Sequence, residues 1–160
     1  MLRVGADVAQ YSPGKGMGAL FRACYNGHVA CVRALVDHKA DLNAVLADGT
    51  SCCYVAAEKG HVDVLRLLIQ GGVVLDQPDN NGVTPLWRAA ERGSAECVRV
   101  LIDLRANVDA QNKEGKSALH VAACSGHDKI VAQLLAAGAD AHSTHAGARI
   151  FKLFKRRLTR

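Results

Sequence analysis

Four glycines, Gly16, Gly49, Gly82 and Gly115, stand 33 residues apart, and Gly27, Gly60, Gly93 and Gly126 keep the same interval. An alanine lies between each pair: Ala23, Ala56, Ala89 and Ala122. Paired apolar positions follow at Leu35-Val36, Leu68-Ile69, Leu101-Ile102 and Leu134-Leu135. A period of this length, repeated without insertion, means that each unit is one supersecondary element. Such a unit buries its apolar face only against its neighbours. The chain is therefore expected to fold as a stacked array and not around one central core.

Each unit reads as turn, helix, turn, helix. In the third, Thr84 suits an N-cap and Pro85 the first helical position. Leu86, Ala89 and Ala90 form an i, i+3, i+4 stripe. Gly93 ends the short helix, because a left-handed cap position favours glycine. A second helix is expected over about 95–104, with Val98, Leu101 and Ile102 facing inward. Ser51 and Ser117 take the cap position in units two and four, and the weaker Gly18 takes it in unit one.

The segments 82–93, Gly-Val-Thr-Pro-Leu-Trp-Arg-Ala-Ala-Glu-Arg-Gly, and 115–127, Gly-Lys-Ser-Ala-Leu-His-Val-Ala-Ala-Cys-Ser-Gly-His, resemble the ankyrin repeat. Lys39-Ala40-Asp41-Leu42-Asn43-Ala44 and Gly138-Ala139-Asp140 are similar to its hairpin segment. The resemblance implies an all-α ankyrin-repeat solenoid of stacked helix-turn-helix units joined by short β-hairpin or loop connections. Residues 16–143 hold four repeats, starting near 16, 49, 82 and 115. Residues 1–15 look like the remnant of a preceding repeat and a lead-in loop, and 144–160 like a basic amphipathic tail helix or cap. Unit two departs from the pattern. Cys53 stands at the main buried leucine, and the hairpin Gly71-Gly72-Val73-Val74 is irregular. Asn43 resembles the ankyrin asparagine that hydroxylases modify.

Apolar residues make up 49% of the chain, enough for a core, but aromatics only 4%, so that core is built from Ala, Leu, Val and Ile. No apolar run is long enough to span a membrane. The start of the chain lacks the pattern of a secretory signal, so an intracellular protein, cytoplasmic or nuclear, with reduced cysteines is expected. Cys31 and Cys97 share a slot with Val64 and Ile130 and are expected in the core; Cys124 is the expected exposed thiol.

Neither phosphate-loop nor zinc-protease nor nucleophile-elbow spacing occurs, so no catalytic residue is assigned and the chain is not expected to be an enzyme. Gly14-Lys15-Gly16-Met17-Gly18 lacks the strand-then-helix context of a phosphate loop. His28, His61 and His127 repeat one per unit. Packed helices lie about 8–10 Å apart, too far for two such imidazoles to share one zinc. They are expected to bond locally in turns. No metal, cofactor or small-molecule substrate is assigned.

Repeat arrays present an extended concave surface to partners. By resemblance, that surface is made by hairpin tips and the exposed side of the first helices. The candidate partner-binding residues are Tyr25, Asp48, Thr50, Tyr54, Glu58, Lys59, Asn80, Asn81, Val83, Trp87, Glu91, Arg92, Glu114 and Lys116. Phe21, Tyr54, Trp87 and His120 share one slot and would stack along the array. Packing between repeats is the plainer reading of that slot. Recognition is the sharper one, under which Trp87→Ala weakens binding more than stability.

Charge sets the tail apart. Six of the 20 basic residues lie within 149–160, with no acid; the other 148 residues carry 14 basic and 15 acidic side chains. At 100° per residue, Ile150, Phe151, Leu153, Phe154 and Leu158 gather on one face. Arg149, Lys152, Lys155, Arg156 and Arg160 lie on the other, and Arg157 intrudes on the apolar arc. Three roles stand open: a cap over unit four, a weak contact with an anionic membrane surface, or a nucleic-acid or nuclear-import contact through Lys155-Arg156-Arg157. The function expected is non-catalytic binding of a protein partner, with a tail-anchored adaptor as the alternative.

Overall fold

The computed structural model describes residues 18–141. Eight α-helices follow in sequence: α1 (Ala19–Asn26), α2 (Val29–Asp37), α3 (Cys52–Lys59), α4 (Val62–Gln70), α5 (Pro85–Arg92), α6 (Ala95–Asp103), α7 (Ala118–Cys124) and α8 (Asp128–Ala136). Two helices belong to each 33-residue unit. The lead-in and remnant expected at 1–15, and the tail expected at 144–160, lie outside the described residues.

The first helices begin where the sequence predicts, because hydroxyls occupy the caps. Ser51 accepts the Tyr54 amide at 3.1 Å, Thr84 the Trp87 amide at 3.2 Å and Ser117 the His120 amide at 3.4 Å. Gly18 has no side chain to offer, and α1 starts without such a bond. Gly27, Gly60 and Gly93 end α1, α3 and α5 in the left-handed conformation. The second helices then start at His28, His61, Ser94 and His127, none of which caps with its side chain.

First helices pack on first helices (α1 on α3, α3 on α5, α5 on α7) and second on second (α2 on α4, α4 on α6, α6 on α8). One continuous core runs between the two rows, with Leu65, Leu68, Leu86, Leu101, Ile130 and Leu134 among its fully buried side chains. Alanines at the first-helix seams, Ala56, Ala57, Ala89, Ala90 and Ala122, are wholly buried and allow the close approach. The hairpins contribute no strand among the described residues, only isolated bridges between Val45 and Ser51 and between Gln111 and Ser117.

One sequence expectation changes here. Cys31 is exposed, whereas its equivalents Val64, Cys97 and Ile130 are buried. Those three lie on helices packed against the second helix of the preceding unit. Among the described residues, no second helix precedes α2. The irregular unit-two hairpin also has a cause. A Cβ at Gly71 would stand 2.5 Å from Leu42 Cδ1 and 3.1 Å from Val36 Cγ1. Glycine lets the unit-one leucine close over that turn, where the other units carry His38, Leu104 and Ala137.

Candidate functional site

The hairpin tips are shaped by short polar side chains that bond their own backbone, the usual device of Asx turns. Asp79 accepts the amides of Asn81 at 2.8 Å and Val83 at 2.9 Å. Asn112 accepts those of Glu114 and Lys116 at 3.0 and 2.9 Å. In the first hairpin Leu46 fills that slot, and Asp48 instead accepts the Thr50 amide at 2.9 Å. This bond holds the Asp48 carboxyl below the usual carboxylate range. Successive tips are tied together. The Asn80 amide donates to Asp48 O at 2.8 Å, its side chain to Ala47 O at 3.0 Å, and the Lys113 amide to Asn81 O at 2.9 Å.

Beside the tips, the first helices form a ledge whose side chains pair across unit boundaries. Lys59 Nζ lies 4.2 Å from the centre of the Tyr25 ring, within cation–π range. Arg92 pairs with Glu58 at 2.7 Å. Arg88 Nε donates to the Tyr54 hydroxyl at 2.6 Å, and its guanidinium pairs with Glu91 one turn on. The same guanidinium lies 5.1 and 5.6 Å from the Tyr54 and Trp87 rings. Burial works against charge on Arg88, but Tyr54 and Glu91 outweigh it and hold the group protonated. Burial raises the Tyr54 phenol, with Arg88 opposing.

The histidines do more than bond locally. His61 Nε2 meets Tyr25 O at 3.1 Å, and His127 Nε2 meets Glu91 O at 3.0 Å, each 36 residues back and in the preceding unit. A carbonyl only accepts, so Nε2 donates in both. A second recurring tie runs through the hairpins. Asn43 Oδ1 accepts the Val74 amide at 2.7 Å, Asp76 Oδ2 the Asn107 amide at 3.0 Å, and Asp109 Oδ1 the Asp140 amide at 2.8 Å. The Asn43 side chain is thus part of the stacking.

The expected partner-binding residues divide by exposure. Tyr25, Asp48, Lys59, Asn80, Asn81, Arg92, Glu114 and Lys116 are exposed, and Glu58 and Glu91 are half-buried. Thr50, Tyr54, Val83 and Trp87 are buried and offer no open surface. Tyr54 and Trp87 stand with Phe21 and His120 in a slot that is buried in every unit, at 5–9% exposure. Trp87 Nε1 donates to Lys116 O at 3.0 Å, so this ring pins the next hairpin. The tail residues Lys152, Lys155, Arg156 and Arg157 lie outside the described residues.

Arg88 was not singled out by the sequence reading, although its i, i+3 spacing to Glu91 could have flagged it. A cleft of about 560 Å³ was also missed; it lies between the start of α1 (Leu20, Phe21) and the end of unit one (Leu35, His38, Ala44, Leu46). Among the described residues there is no group of three or more His, Cys, Asp or Glu placed to hold a metal ion. No helix among them is long and apolar enough to cross a membrane.

Two rows of short paired helices, hairpins tied tip to tip and a 33-residue register define a repeat array. The sequence matches the family profile for ankyrin repeats (three copies) over residues 1–79 and again over 72–145. The chain belongs to the ankyrin-repeat family. No curated protein matches it closely enough to count as a relative. Ankyrin repeats serve generally as protein–protein interaction modules and are typically non-catalytic.

Proposed function

We propose that the array holds one protein partner along the ledge made by its hairpin tips and first helices, the concave side in arrays of this family. The observation that carries this reading is the set of contacts that fix side chains of the ledge across unit boundaries: Lys59 on Tyr25, Arg92 on Glu58, and the Asn80 side chain on the Ala47 carbonyl. Side chains held in place before contact lose less conformational entropy on binding. Tyr25 is the exposed aromatic of this row, at 39% exposure, and tyrosine is enriched among residues that dominate interface energies. Trp87 leaves the contact set and supports the ledge from beneath.

The test is affinity capture from cell extract with the full chain and with a Tyr25→Ala/Arg92→Ala variant of matched melting temperature. Loss of captured proteins from the variant supports the ledge. The same proteins on both baits refute it. The adaptor reading rests on six cations within 149–160. Cosedimentation of residues 1–160, but not 1–148, with phosphatidylserine vesicles would support it. Equal recovery of both would sink it.

A further inference from the structure

The four first helices carry Arg22, Lys59, Arg88 and Arg92 against Glu58 and Glu91, an excess of two cations. The second helices lean the other way, with five acids against four cations. Burial sharpens the contrast. Glu58 and Glu91 are half-buried, and each already holds an arginine, Arg92 and Arg88 respectively. The charged side chains that stand exposed on the first helices, Arg22, Lys59 and Arg92, are all cationic. The hairpin tips do not share this bias. Among the described residues Lys113 and Lys116 stand there against Asp48, Asp79 and Glu114.

Lys59 and Arg92 occupy one slot of the repeat, 33 residues apart. Both lean back to one slot of the preceding unit, Lys59 to Tyr25 and Arg92 to Glu58. Neither charge is used up. Lys59 Nζ rests on a ring face, 4.2 Å from its centre, and among the described residues it pairs with no carboxylate. Arg92 gives Glu58 one N–H of Nη2 at 2.7 Å, and with its side chain 54% exposed the rest of the donor fork is open to solvent. Helix α3 packs on α5. Because the two cations lean the same way, their heads stand one helix spacing apart, about 8–10 Å. An extended chain advances about 3.3 Å per residue. Carboxylates three residues apart in such a chain would meet both heads.

We infer that the partner of this ledge is an extended acidic segment with carboxylates at every third residue, one meeting Lys59 and the next Arg92. The inference rests on the binding reading above and adds the chemistry of the partner. The Glu58 and Glu91 carboxylates sit lower than the cations they neutralise, so an approaching chain meets positive charge first. Opposite charge at the rim speeds encounter and fixes register. The Tyr25 ring beside Lys59 supplies an apolar neighbour for the side chains between the acids. A single-stranded nucleic acid would want a row of rings for its bases, and the equivalents of Tyr25 are Glu58, Glu91 and Cys124.

The test uses the full chain and two labelled peptides, one repeating Glu-Gly-Ser and one repeating Gln-Gly-Ser, with binding read by fluorescence anisotropy. The glutamate peptide should bind and the glutamine peptide should not. Lys59→Gln/Arg92→Gln, of unchanged melting temperature, should bind about fivefold more weakly. Lys59→Arg/Arg92→Lys keeps both charges and should bind like wild type. Carbodiimide coupling of the bound glutamate peptide should map to Lys59. No preference for glutamate, equal binding by the glutamine variant, or coupling confined to Lys152 and Lys155 would each overturn the inference. So would tighter binding of a short oligothymidylate that is lost in the same variant. Capture from extract separates this inference from the one beneath it. Proteins lost with Tyr25→Ala/Arg92→Ala but kept by Lys59→Gln/Arg92→Gln would leave the ledge standing and sink the acidic partner, and proteins kept by both baits would sink the two together.

Discussion

Gly93, the C-cap of α5, and Gly126, one residue past the C-cap of α7, hold nearly the same backbone, φ +76° and +74°. They differ in what lies beyond. A Cβ on Gly93 would stand 2.8 Å from His127 Cε1, whereas a Cβ on Gly126 would meet nothing within 4 Å. Alanine at either site takes a left-handed conformation costing about 1–2 kcal/mol. About 0.4–1 kcal/mol returns because the unfolded chain has less freedom to lose. Gly126→Ala should therefore cost about 1 kcal/mol. Gly93→Ala must also displace the His127 ring and break its 3.0 Å bond to Glu91 O, a further loss of about 0.5–1.5 kcal/mol. Urea unfolding of the two variants, followed by far-UV circular dichroism, measures the difference. In a His127→Ala background, Gly93→Ala should fall back to the cost of Gly126→Ala, the signature of direct coupling. Equal costs for the two single variants, within about 0.3 kcal/mol, would refute the claim that histidine closure over the preceding glycine holds units together.

Trp87→Ala should destabilise by about 3–5 kcal/mol as a buried aromatic removed from a core, and its melting should fall well before any loss of partner at low temperature; an unchanged melt would contradict its burial. Arg105 holds a left-handed backbone, φ +67°, where Gly72 and Gly138 stand in other units. Arg105→Gly should thus raise stability by about 0.5–1 kcal/mol, read as a higher urea midpoint. The Asp48 carboxyl is held low by the Thr50 amide. A group lowered by folding contributes stability above its unfolded value, near 4, and loses it as pH falls through the folded value. Between pH 6 and pH 3 the urea midpoint should fall less steeply in Asp48→Asn than in wild type, and parallel curves would count against the bond.

The register of the fold was open to a reader of the sequence because helix starts and stops are local chemistry. Ser51, Thr84 and Ser117 cap with their own hydroxyls, and Gly27, Gly60 and Gly93 turn the chain at the same point. What a unit does to its neighbour is not local, and there the reading failed in particular places. Periodicity equates Cys31 with Val64 but does not say that the slot is filled from the preceding unit. It aligns Tyr54 with Trp87 but does not say whether that slot faces the next hairpin or solvent. The missing information is a set of offsets that recur with the stack. His61 and His127 reach back 36 residues, Asn43, Asp76 and Asp109 reach forward 31, and Arg88 and Arg92 reach back 34. Each offset is one period plus or minus the rise between two faces, so each bond recurs wherever the residue type permits and lapses where it does not. Ser94 in place of histidine stands 3.3 Å from a Cβ on Gly60 and makes no such tie. Stacking strength along this array is therefore set boundary by boundary. The boundary between units two and three lacks the histidine tie but carries Tyr54–Arg88 and Glu58–Arg92 instead. Those pairs lie on the proposed binding ledge, so a partner that competes for Glu58 or Arg92 would loosen the boundary that depends on them most.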